Sequence, residues 1–267
     1  MRPTLLVAGD SLRNLLHQRL LVVLVLGTLG LSAAVSVATT YGTNMVVQGS
    51  DGASEAYEGE LDESQLALVR QGMESTGTMV LGGFCWFTAL AGSLLTVFIC
   101  STAVAGDIRR GTIRMILSRP VSRTQFLLGR FCGAAAVMLA WSVLSGAAFV
   151  IYSWGHGLDL KLALAYAPWL MLCQNLMMGS AALLLSLLVH PAIAGVAAFF
   201  ASATYFSPPN PLYYILPSYD RFNLFTLFWQ RRMIGLEEIS ILTLYALNVS
   251  VILLLLAWWR FRSRDLL

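Results

Sequence analysis

Residues 106–130 read GDIRRGTIRMILSRPVSRTQFLLGR. The stretch lies between two long apolar runs. It carries six arginines (Arg109, Arg110, Arg114, Arg119, Arg123 and Arg130) against one acid, Asp107. The apolar runs suit lipid; this charge density does not. Short loops rich in Lys and Arg are retained on the cytoplasmic side. The stretch therefore predicts a cytoplasmic loop between two membrane helices.

The loop has internal order. Gly111 and Thr112 end one helix and cap another. Ile113, Ile116 and Leu117 follow at i, i+3 and i+4, on one helical face. Arg114 and Ser118 fall on a different face. Pro120 stops the short helix, because it lacks an N–H and disfavours helix just before it. Ser122 and Gln125 form an S-x-x-Q capping box that starts the next helix. The expectation is a short amphipathic rod between two spans, shaped for a soluble partner to grip.

The rest of the chain is a membrane protein. Of its 267 residues 57% are hydrophobic and 12% charged, too apolar for a soluble domain. The net charge of +3 resides mostly in the expected inner loops and implies no nucleic-acid partner. The four cysteines (Cys85, Cys100, Cys132, Cys173) sit in apolar runs without C-x-x-C spacing and read as buried small hydrophobes. The three histidines are dispersed, so no metal site is expected.

Residues 3–19 place Leu5, Ala8, Leu12, Leu15 and Leu16 on one stripe, away from Asp10, Arg13, Asn14 and His17. That pattern predicts an interfacial amphipathic helix. A spanning helix needs about 20 apolar residues, and residues 20–41 supply the first. The structured segment before it argues against a signal peptide. Residues 42–77 hold seven acids and one base, Arg70, and read as an outer loop, either a plain solvated face or a surface for an outer-side protein partner. Further spans are expected at 78–105, 131–154, 162–189, 192–206 and 239–259. His190-Pro191 is a minimal inner turn. Residues 207–238 combine prolines, aromatics and Arg231-Arg232 and read as an outer interfacial or re-entrant segment. Gln174 and Asn175 lie mid-span; they read either as lining of a substrate path or as interhelical hydrogen bonds. The fold class is all-α: a single transmembrane domain over 1–267, six transmembrane helices, both termini cytoplasmic.

No expected span contains Asp, Glu, Lys or Arg. Proton relays, ion-coupled sites and voltage sensors need such groups, as does a membrane hydrolase. An outer-face active site built from Asp159, Asp220, Arg231 or Glu238 is the enzyme alternative. The only lysine, Lys161, has no P-loop around it. Nucleotide, if used, must bind another polypeptide.

In order, Asp107, Gly111, Thr112, Leu117, Pro120, Arg123, Gly129 and Arg130 resemble the coupling segment of type 2 ABC transporter permeases. The family more often has Glu at the first of these positions and Lys at the last; Asp107 and Arg130 keep the charges. Residues 1–20 resemble its N-terminal elbow helix. Leu216-Pro217 with Asp220-Arg221-Phe222-Asn223 looks like its outer segment. The resemblance implies a permease in the cytoplasmic membrane of a bacterium or archaeon. It implies a second permease copy, identical or not, and separate ABC ATPase subunits that bind ATP and Mg. An exporter is expected. The coupling contact would run through Asp107, Gly111, Thr112, Ile113, Arg114, Ile116, Leu117, Pro120, Arg123 and Arg130. Within the family cargoes include lipids, hydrophobic natural products and sulfur or metal-site precursors, as in the permease for nitrous oxide reductase maturation. The rival from another class is a non-transporting assembly protein whose basic loop binds anionic lipid of the bilayer.

Overall fold

The computed structural model describes residues 7, 9, 83, 85–109, 111, 121–155, 161–201, 216–222 and 235–263. Helices α1 (Cys85–Arg109), α2 (Arg123–Gly155), α3 (Lys161–Leu188), α4 (Pro191–Phe200) and α5 (Leu236–Arg262) account for most of them. A 3-10 turn covers Tyr219–Phe222. No strand occurs among the described residues. Four helices, α1, α2, α3 and α5, are long and apolar enough to cross a membrane. The expected first span, the outer loop at 42–77 and most of 207–238 lie outside the described residues.

Local chemistry sets the helix ends. The Ser122 hydroxyl accepts from the Gln125 N–H (3.2 Å) and the Gln125 side chain accepts from the Ser122 N–H (3.0 Å). This reciprocal pair satisfies two orphan donors at the start of α2. Pro191 occupies the first turn of α4, where its missing N–H costs nothing. Its cap is His190, whose Nδ1 faces the Ala192 N–H at 3.2 Å. In α5, Glu237 and Glu238 lie in the first turn and Arg260 and Arg262 in the last, matching the helix dipole at both ends.

α3 is the centre of the bundle. Of its most apolar stretch 78% is buried, against 17% in α5. It packs against α2, α4 and α5. It meets α1 where Gly179 lets the helices close: a Cβ there would lie 3.0 Å from Cys100 Sγ and 2.7 Å from Met138 Cε of α2. Met171, Met177, Leu183 and Leu187 of α3 join Phe126, Phe149 and Phe261 in one buried core. Val143 and Ile151 of α2 and Leu244 and Trp259 of α5 face outward. That apolar exterior is what a lipid solvent requires.

α1 runs through Asp107 and Arg109 and ends before Gly111, and α2 begins at Arg123, directly after the Ser122 cap; both helices extend past the expected span bounds at 105 and 131. Cys85, Cys100 and Cys173 are buried as expected, but Cys132 is exposed. A helix apolar all round does not reveal its rotational phase.

Candidate functional site

The basic end of the bundle gathers the termini of α1, α2, α4 and α5. α1 closes on Gly111, whose φ of +70° is left-handed and whose N–H donates to the Ile108 carbonyl at 3.2 Å. Glycine takes that conformation without a Cβ clash. From the same turn, Asp107 pairs with Arg130 of α2. Their side chains are 16% and 11% exposed, so solvent screens the pair less than one at an open surface. The ion pair joins α1 and α2 at the base of the segment between them.

α2 is in turn fastened to α5. The Arg130 guanidinium lies 5.5 Å from the centre of the Phe126 ring. Phe126 stacks on Phe261 at 6.1 Å. Trp258 Nε1 donates to Thr124 Oγ1 at 2.8 Å, and Arg262 sits 5.6 Å over the Trp258 ring. Apart from the Phe126–Phe261 stack, each contact sets a cation or polar tip against an aromatic ring, an arrangement suited to a membrane boundary.

Arg109 reaches the turn between α3 and α4, with Nη1 2.7 Å from His190 Nε2. A neutral imidazole has one lone pair, so the ring accepts from Arg109 or from the Ala192 N–H, one at a time. A cleft of about 240 Å³ opens beside this contact, lined by Ala105, Ile108 and Arg109 of α1 and by Ser186 and Leu188 to Pro191. At the opposite end, Ser218 N–H donates to the Tyr245 hydroxyl (3.0 Å) and Arg221 covers the Tyr245 ring (5.5 Å). Burial pushes the Tyr219 phenol above its ordinary value, with Tyr245 beside it adding to the shift.

Of the residues singled out in the sequence, Asp107, Gly111, Arg123 and Arg130 fall at the basic end. Thr112, Ile113, Arg114, Ile116, Leu117 and Pro120 lie outside the described residues. Asn175 is buried at the middle of α3 and Gln174 is half-buried. Sequence reasoning missed Thr124, Phe126, His190, Trp258 and Phe261. The aromatic-arginine run Trp258-Trp259-Arg260-Phe261-Arg262 was the available signal for two of them, Trp258 and Phe261. Among the described residues, no three His, Cys, Asp or Glu side chains gather as a metal site would need.

A family model described as ABC-2 family transporter protein matches residues 7–266. The comparison with curated proteins finds no match.

Proposed function

The chain belongs to the ABC-2 family of transporter proteins, and from that premise we propose how it converts work done elsewhere into movement across the bilayer. It is a multi-pass membrane permease subunit of an ABC transporter. In our reading the basic end faces the cytosol, both termini lie there, and separate ATPase subunits bind beneath it. ATP closes the ATPase pair, and the rod Gly111 to Arg119 is carried with it. Asp107 and the loop arginines hold the contact through charge-assisted hydrogen bonds. A second permease copy completes the assembly. The chain exports cargo or performs mechanical work at the outer side; uncharged spans favour an apolar or amphipathic cargo.

The observation that carries this reading is the Asp107–Arg130 pair. It closes the base of the 106–130 segment, so force applied to the rod enters α1 and α2 together. Purification in mild detergent from the native membrane tests the partner. A stoichiometric ATPase is expected; anionic lipid alone would favour the assembly-protein reading. Substitution of Leu117 or Arg123 tests the segment. ATP hydrolysis should continue while transport falls, and full coupling retained in both variants would remove the rod from the mechanism.

A further inference from the structure

Midway along the bundle three helices bring polar atoms into an apolar interior. Ser93 comes from α1, Trp141 from α2 and Asn175 from α3. They are 2%, 3% and 1% exposed. Trp141 Nε1 and Asn175 Nδ2 lie 2.6 and 3.2 Å from the point that a Cβ on Gly92 would occupy. As placed, neither nitrogen has an acceptor among the described residues. An unpaired buried donor costs about 1–3 kcal/mol, and two at one spot in a membrane bundle call for an explanation.

Ser93 supplies it. Its Oγ donates to the Ala89 carbonyl at 2.8 Å and lies 3.4 Å from the atom placed as Asn175 Oδ1. A serine hydroxyl has one proton and two lone pairs. Its proton is already committed to Ala89, so what faces Asn175 is an acceptor. The amide group opposite it must therefore be the NH2. On the other side the Asn175 amide and the Trp141 indole N–H approach the same point at Gly92, and an indole N–H only donates. The amide group there must be the oxygen. A half-turn of the amide meets both demands, and amide nitrogen and oxygen differ in nothing but such partners.

We infer that Asn175 is a polar bolt: Trp141 Nε1–H donates to its carbonyl oxygen, its NH2 donates to Ser93 Oγ, and Ser93 donates to Ala89. The chain of bonds runs from α2 through α3 into α1. Gly92 leaves the space that lets Trp141 approach. Asn175 is thereby a positioning residue, tying the two helices that bracket the basic segment to the central helix, rather than a group offered to cargo. In lipid, where apolar side chains gain little by meeting each other, such bonds hold helices in register.

The bond assignment stands on hydrogen-bond chemistry alone; its part in carrying force rests on the transporter reading above. The first test is the indole spectrum of the full chain in lipid nanodiscs, labelled with 15N-tryptophan. The Trp141 signal, identified by its loss in Trp141→Phe, should lie downfield and exchange slowly. It should move upfield in Asn175→Leu. An unmoved signal overturns the bolt. If Trp141→Phe does not fold, the signal displaced by Asn175→Leu identifies itself, and no displaced signal overturns the assignment equally.

The second test uses the complex with its ATPase subunit, spin-labelled at the exposed positions Leu128 of α2 and Leu188 of α3. ATP should leave their separation unchanged in the wild type and broaden it in Asn175→Leu. If the complex hydrolyses ATP and the two proteins behave alike, the bolt carries no force. If it hydrolyses none, the transporter reading falls while the bond assignment stands on the spectrum.

Discussion

Arg123 Nη1 donates to the main-chain carbonyl of Arg262, 3.0 Å away. The first residue of α2 thus caps the last residue of α5, 139 positions later in the chain. A cation at a helix N-terminus is disfavoured by the helix dipole, and one near a C-terminus is favoured. Arg123 is at the wrong end of its own helix and the right end of its neighbour's. Arg123→Ala should lower stability by about 1 kcal/mol, read as a lower midpoint of thermal unfolding in detergent. Arg123→Lys should recover only part, since an ammonium lacks the planar fork of donors.

The Asp107–Arg130 pair predicts non-additivity. Removing one partner leaves the other charge poorly solvated, so Asp107→Asn and Arg130→Met should each cost roughly 2 kcal/mol. The double variant should be more stable than their sum predicts. Thermal unfolding of the four proteins closes the cycle, and strict additivity would mean the two charges do not support each other.

Gly111 has φ +70° and, among the described residues, no neighbouring atom within 4 Å of where a Cβ would stand. The cost of a side chain there is conformational alone. Gly111→Ala should destabilise by about 1 kcal/mol, and Gly111→Asn by less, because Asn tolerates the left-handed region. Equal unfolding midpoints for Ala and Asn would contradict the cap.

Gly179 is the opposite case, crowded rather than twisted. A Cβ would lie 2.7 Å from Met138 Cε, 3.0 Å from Cys100 Sγ and 3.2 Å from Thr96 Cγ2. Gly179→Ala should cost about 1–3 kcal/mol. The Met138 tip is flexible, so Met138→Ala in the same chain should restore part of the loss. Circular dichroism melting of the pair checks both directions.

Much of this was legible in the sequence. Ser122 and Gln125 announce their reciprocal bonds by spacing, and Gly111 announces a helix end. His190-Pro191 marks the turn between α3 and α4. Each signal is local, set by residues within four positions. What stayed illegible joins distant positions. Arg109 and His190 are 81 residues apart and Trp258 and Thr124 are 134 apart; only the packing of whole helices brings them together. Cys132 was misread because α2 is apolar on every side. Asn175 left two readings open because its spacing says it is mid-span, not what it faces.

The 33 residues of α2 have one more consequence. At about 1.5 Å per residue the helix is about 50 Å long, against a hydrocarbon layer of about 30 Å. Even with some tilt, turns of the helix would pass beyond the acyl chains, and in the orientation proposed above the fastenings at Thr124, Phe126 and Arg130 fall in that overhang. A modest change in bilayer thickness, taken up by tilt and overhang at a small cost, then leaves that joinery untouched.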